Sequence, residues 1–173
     1  MRSGVLEEIK NSMMQKALKL AVAESLTSGN IQKMIGSVSG ASNFFEGGLT
    51  AYSLDQKVRH LGVDRSHAAE VDCVSEQVAA QMARGACNLF AADVGMATTG
   101  YAEPYPEQDV SSPFAYIAIC VKTPNGFKTV YQEKVDGKGL NREEMQNFTA
   151  VTALHALQEY LVGETTGRKS SSD

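Results

Sequence analysis

Several things are missing from this chain, and each absence removes a class of function. No apolar run approaches the length of a membrane span, and the opening Met1-Arg2-Ser3-Gly4-Val5-Leu6-Glu7-Glu8 lacks the apolar core of a signal peptide, so a cytoplasmic protein without membrane partners is expected. Cysteine is scarce: Cys73, Cys87 and Cys120 are widely spaced, odd in number and without a CxxC pair. His60, His67 and His155 have no metal-ligand spacing, so neither a disulfide framework nor a metal site is expected. Positive charge is sparse too. A net charge of −4 and no Lys/Arg cluster longer than Arg168-Lys169 argue against a nucleic-acid surface and for a small-molecule partner.

What remains is a chain of 173 residues, 43% hydrophobic, enough for one sizeable core. Residues 5–18 carry Val5, Ile9, Met13, Met14 and Leu18 at helical spacing, a Met-rich face suited to core packing or self-association. An apolar strand then runs through residues 17–22 into a small polar turn, and Ile31, Met34, Ile35 and Val38 mark a helix over 28–38. Thr27, Ser28 and Asn30 are good N-cap residues and Gly29 admits close approach, so the first turn of that helix could face an anion.

A second strand is expected over 44–52, where Gly47 and Gly48 suggest a bulge or a close backbone approach. Ser53 would cap a short helix closed by Gly62. Residues 64–74 read as irregular or a short helix, and Ser75 caps a long alanine-rich helix through Ala91 that, with Gly85, should lie close on the sheet. A third strand spans 93–100. The loop 101–112 is long enough to form a lid or rim. Strands at 114–122 and 127–135 flank Pro124-Asn125-Gly126, a hairpin signal. Asn141 caps a last helix whose Phe148, Val151, Leu154, Ala156, Leu157 and Leu161 should face the core, and a Gly/Ser/Thr-rich disordered tail is expected over 163–173. The order α-β-α-β-α-α-β-loop-β-β-α fits a single three-layer α/β/α domain over 1–162 with a mixed, partly parallel sheet.

Chemistry in such a sheet belongs at the strand ends. Ser25 closes the first strand and is a candidate nucleophile, but no histidine falls beside a strand end to serve as its base. Lys57, just past the second strand, is the remaining candidate. Making a lysine of ordinary pKa neutral at pH 7 costs roughly 4 kcal/mol of differential interaction, which partial burial and a nearby arginine could provide. By spacing alone, Ser25 reads first as a residue of a capped turn and Lys57 first as a solvated helix lysine, ahead of any catalytic role.

The residues also carry a resemblance. Ala23-Glu24-Ser25-Leu26-Thr27-Ser28-Gly29 resembles the A-E-S-C-T-G-G signature of the CinA C-terminal domain, the nicotinamide-nucleotide amidohydrolases. The similarity continues through 40–53, Lys57, Leu61-Gly62-Val63, Val74-Ser75-Glu76, Thr99-Gly100-Tyr101-Ala102, Pro104 and the Arg-containing last helix. It implies a cofactor-free, metal-free serine/lysine hydrolysis of nicotinamide mononucleotide to nicotinate mononucleotide and ammonia. Carried onto this chain, Ser25 matches the nucleophile, Lys57 the base and Tyr52 a hydrogen-bonding partner between them. Thr99 with Gly100, and Arg142, match binding positions; Thr27, Ser28, Gly29, Asn30 and Arg142 are then candidates for holding the phosphate.

This chain departs from the pattern at Leu26 (Cys in the family), Ser28 (Gly), Glu103 (Gly) and Phe114, which puts bulk beside the presumed pocket. A phosphate-bearing substrate is disfavoured by Glu103. A noncatalytic relative binding a nucleotide-like ligand is therefore the alternative to the amidohydrolase, and a scaffold protein with no ligand is a third reading.

Overall fold

The computed structural model describes residues 3–167. Helix α1 (Ser3–Gln15) leads into strand β1 (Leu20–Glu24), helix α2 (Asn30–Gly36) and strand β2 (Phe45–Thr50). Three helices follow, α3 (Leu54–Leu61), α4 (Arg65–Glu70) and α5 (Glu76–Phe90), then strands β3 (Val94–Tyr101), β4 (Phe114–Thr123) and β5 (Gly126–Asp136), and helix α6 (Arg142–Gly167). The sheet order is β2-β1-β3-β4-β5. The first three strands are mutually parallel, and β4 and β5 add antiparallel to β3 as a hairpin turned at Pro124-Asn125. The expected mixed three-layer architecture is the one observed, and among the described residues no helix is long and apolar enough to cross a membrane.

Alternation along the strands divides the core in two. Leu20 and Val22 of β1, Val94 and Met96 of β3, and Ile117 and Ile119 of β4 face one side, where α1, α2 and α6 cover them through Ile9, Met13, Ile31, Ile35, Leu154 and Leu157. Ala21, Ala23, Ala97 and Ala118 face the other side, against Val78, Met82, Ala83 and Ala86 of α5. Large side chains keep the first layer at a distance, whereas alanine on both partners lets α5 come close to the second face.

That closeness sets two glycines. A Cβ on Gly95 would overlap the carbonyl oxygen of Ala83 in α5, and one on Gly85 would overlap that of Leu61 at the end of α3. Gly85 thus serves a helix–helix contact rather than the expected contact with the sheet, and it fixes α3, the helix carrying Lys57. Replacing Gly85 by alanine should cost about 2 kcal/mol and lower the melting temperature by about 5 °C, measured by calorimetry. At Gly47 and Gly48 the expected bulge is present, with the β1/β2 register slipping between Leu20 and Ala21, and the close neighbours are side chains rather than backbone. A Cβ on Gly47 would come within 2.8 Å of Phe90, and one on Gly48 within 2.5 Å of Gln32.

Several local expectations need correction. Helix α1 stops at Gln15, where Ala17 turns left-handed (φ 52°), and Met14 is exposed while Met13 is buried. Ser53 makes no side-chain cap on α3. Phe148 of α6 is exposed, while Leu154, Ala156, Leu157 and Leu161 are buried as expected, joined by Met145, Ala150 and Ala153. An Asn141–Glu144 capping box starts that helix about two turns before Phe148: Glu144 N–H donates to Asn141 Oδ1 at 3.0 Å and Asn141 N–H to Glu144 Oε2 at 2.8 Å. Helix α6 continues to Gly167, past the Gly163 at which a disordered tail was expected, and residues 168–173 of that tail lie outside the described residues. Gly62 closes α3 in the left-handed conformation, and the Ser75 hydroxyl accepts from Val78 N–H at 3.1 Å to start α5, both as expected.

Candidate active site

The three parallel strands end side by side, and the chain leaves β1 and β2 toward opposite faces: α2 packs on the large-residue layer and α3 to α5 on the alanine layer. A crevice opens where neighbouring strands diverge in this way. It is a cavity of about 450 Å³, a size suited to a small molecule. Ser25 after β1, Tyr52 after β2, Lys57 of α3, Thr99 and Gly100 of β3, and Arg142 of α6 all line it.

Lys57 is 1% exposed and Ser25 8%. The lysine side chain runs back from α3 to the strand ends, and Nζ lies 3.0 Å from Ser25 Oγ, 2.9 Å from the Ala51 carbonyl oxygen and 3.2 Å from that of Tyr52. An ammonium has three donors and would satisfy all three oxygens. A neutral amine has two N–H donors for the carbonyls and one lone pair, which can accept the Ser25 hydroxyl proton. The same three partners thus suit the uncharged form, and burial pushes the Lys57 pKa below its ordinary value, opposed by Cys73 and Asp72. No arginine is needed for that lowering.

Ser25 is held through its main chain: its N–H donates to Thr98 O at 3.1 Å, and its own carbonyl accepts from Ser28 N–H at 3.1 Å. The N–H groups of Leu26 and Thr27, next along the turn, have no backbone or side-chain acceptor among the described residues.

The residues expected to hold an anion are placed differently. Glu24, fully buried at the end of β1, turns its carboxylate onto the start of α2. Oε2 accepts from Gly29 N–H at 2.9 Å and Ile31 N–H at 3.2 Å, and Oε1 accepts from Gln32 N–H at 2.9 Å and Gln32 Nε2 at 3.0 Å. The helix N-terminus therefore already has its anion, supplied by the chain itself. Thr27 is buried, its hydroxyl 2.7 Å from that of Thr98. Asn30 pairs with Asn147 of α6 at 3.3 Å. Thr27, Ser28, Gly29 and Asn30 thus lie outside the lining of this cavity, the side chains of Thr27 and Asn30 are engaged within the protein, and Asn30 borders a second cleft beside Lys33 and Arg142.

Tyr52 also differs from expectation. Its carbonyl, not its ring, meets Lys57; the ring is exposed and its hydroxyl accepts from Arg142 Nη2 at 2.8 Å. Arg142 Nη1 donates to the Glu103 carboxylate. Thr99 donates its hydroxyl to the Cys73 carbonyl at 2.7 Å, tying β3 to the 72–74 loop. Phe114 does not line the cavity: its ring packs edge-on to Tyr101 and Tyr116, under Lys134 Nζ at 4.1 Å.

Reading the sequence missed Asp72, Cys73, Tyr101 and Tyr105, which also line the cavity. Asp72 and Cys73 are consecutive left-handed residues (φ 48° and 61°), and Tyr101 donates its hydroxyl to Asp72 at 3.0 Å. Nothing local marks them. Among the described residues, no group of three or more His, Cys, Asp or Glu is placed to hold a metal ion.

Residues 3–161 match the family described as the CinA C-terminal domain. The chain belongs to that family. A putative competence-damage inducible protein of Caldicellulosiruptor saccharolyticus is 38% identical over 150 residues, covering 86% of this chain and 36% of that protein. A CinA-like protein of Shewanella pealeana is 32% identical over 163 residues, 94% of this chain and 38% of that protein. The chain therefore spans little more than a third of these relatives. Two crystal structures share the fold. The competence damage-inducible protein A (ComA) of Klebsiella pneumoniae has a TM-score of 0.84 at 24% identity, covering 92% of this chain and 96% of that one. The competence-damaged protein (CinA) superfamily protein of Enterobacter cloacae has a TM-score of 0.83 at 25% identity, covering 91% and 90%. Within the CinA C-terminal domain frame, Ser28 stands where the signature has glycine, and it adopts the left-handed conformation glycine would favour (φ 54°).

Proposed function

We propose that this domain is an amidohydrolase acting on the carboxamide of nicotinamide mononucleotide or a close pyridine relative, releasing ammonia and leaving the carboxylate. The observation that carries the reading is the buried Lys57 amine 3.0 Å from the Ser25 hydroxyl, at the wall of a cavity of small-molecule size.

In this reading Ser25 Oγ attacks the amide carbon as its proton passes to the neutral Lys57 amine. The oxygen of the resulting tetrahedral centre is negative, and the unengaged N–H groups of Leu26 and Thr27 are the donors nearest in the chain. Lys57 then gives its proton to the departing nitrogen. The C–N bond breaks, ammonia leaves, and an acyl-Ser25 ester remains. Water attacks the ester, Lys57 takes the water proton, and return of a proton to Ser25 Oγ frees the acid. Both carbonyls that hold Lys57 Nζ can accept from the ammonium of the intermediate stages as well as from the neutral amine at rest, so the amine stays aimed at Ser25 throughout.

The test is a steady-state ammonia-release assay on the purified chain with nicotinamide mononucleotide, its riboside and free nicotinamide. Turnover of at least one of these is expected; ligand binding without ammonia release from any of them would replace the hydrolase with a binding protein.

A further inference from the structure

We infer that the Glu103–Arg142 ion pair makes this site select pyridine carboxamides without a phosphate: the preferred ligand is the cationic nucleoside rather than the nucleotide. The inference rests on the amidohydrolase reading for the identity of the head group, but its charge argument stands on the pocket alone.

The charged groups lining the cavity are Lys57, Asp72, Glu103 and Arg142. Lys57 is turned inward, buried and bonded to Ser25 and two carbonyls, so it offers nothing to an anion at the mouth. Among the described residues Arg142 is then the one cation left at this cavity, and both its terminal nitrogens are engaged: Nη1 with the Glu103 carboxylate, Nη2 with the Tyr52 hydroxyl. A phosphate reaching Arg142 must displace a tethered carboxylate or settle beside it, and like charges at that range repel. Arg142 also borders a second cleft with Lys33, and there Glu143 again supplies a carboxylate. The helix N-terminus that could otherwise hold a phosphate is occupied by Glu24.

The same groups suit a cation. Glu103 offsets Arg142, Asp72 adds a second carboxylate to the lining, and Tyr101 and Tyr105 stand with ring centroids 5.8 Å apart. Carboxylates together with tyrosine faces attract a positively charged aromatic ring. A pyridinium nucleoside carries that positive ring and no phosphate, whereas its nucleotide brings two negative charges to the pair at the mouth.

The experiment measures kcat/KM for ammonia release, and the dissociation constant by calorimetric titration, with nicotinamide riboside and nicotinamide mononucleotide on the intact chain, Glu103→Ala and Glu103→Gln. The intact chain should favour the riboside by about tenfold or more, and both variants should shift the ratio toward the mononucleotide by about tenfold, mainly through KM, as Arg142 is released. Added salt should narrow the preference of the intact chain. A preference for the mononucleotide in the intact chain, or a ratio unmoved in both variants, overturns the inference. If neither compound nor free nicotinamide yields ammonia, the hydrolase reading fails; whenever neither compound yields ammonia, the titrations decide the selectivity separately: tighter riboside binding upholds it, while equal binding, tighter mononucleotide binding or no binding overturns it.

Discussion

Lys57→Met and Ser25→Ala are each expected to lower ammonia release by roughly a thousandfold or more, with little further loss in the double variant, because the two groups act as one unit. Lys57→Arg should be as inactive as Lys57→Met. It keeps a long cationic side chain, but a guanidinium does not give up its proton and cannot serve as the base. The intact chain should lose activity toward acid pH as Lys57 becomes protonated, on a limb that lies below the ordinary lysine value because burial lowers this pKa.

The same lowering has a thermodynamic sign. Between the folded pKa of Lys57 and the ordinary lysine value of 10.5, the unfolded chain holds a proton that the folded chain does not, so this residue's contribution to stability increases as pH rises through that window. Below the folded value both states are protonated and the contribution is flat at its least favourable. Urea unfolding of the intact chain and Lys57→Met across alkaline pH checks this: their difference in unfolding free energy should move in favour of the intact chain up to about pH 10.5 and then level off. A pH-independent difference would mean the amine stays charged in the folded protein, and the base assignment would fail with it.

How the site was legible follows from the same residues. Strand ends are readable from periodicity, so Ser25, Tyr52 and Thr99 could be placed at one edge of a parallel sheet from the sequence alone. That Lys57 reaches Ser25 across 32 positions came from the resemblance, because spacing alone does not distinguish a buried helix lysine from a solvated one. The hairpin, the Asn141 and Ser75 caps and the left-handed Gly62 were legible because each has a local chemical signature. The buried side of α6 was legible at Leu154, Ala156, Leu157 and Leu161 but not at its start: Phe148 is apolar yet sits off the stripe that Met145 and Ala150 define, and apolarity alone cannot fix the side on which a single residue lies. Pairings between distant segments had no local sign either. The Glu103–Arg142 pair spans 39 positions, and the Asp72–Tyr101 bond spans 29. The anion expected at α2 was read with the right sign and the wrong owner, since its donors do face a carboxylate, that of Glu24.

Glu24→Ala should destabilise the fold more than Gly85→Ala does, costing about 4 kcal/mol and lowering the melting temperature by about 10 °C. One fully buried carboxylate accepts four hydrogen bonds, three of them from main-chain N–H groups at the start of α2. Those donors have no intrahelical partner, so deleting the acceptor leaves them unpaired in a small cavity. Glu24→Gln keeps the volume, but its amide nitrogen would point a donor at donors, so it should recover only part of the loss. The residue immediately after Glu24 is Ser25, and Gly29 and Ile31, two of the donors, close the turn on which Ser25 sits. Slackening that turn moves the hydroxyl relative to Lys57, whose amine is fixed independently by the Ala51 and Tyr52 carbonyls. Ammonia release by Glu24→Gln, assayed well below its melting temperature, should therefore fall by about a hundredfold with KM little changed. Full activity in a destabilised Glu24→Gln would show that the carboxylate holds only the helix and that Ser25 is positioned by its main-chain bonds to Thr98 and Ser28.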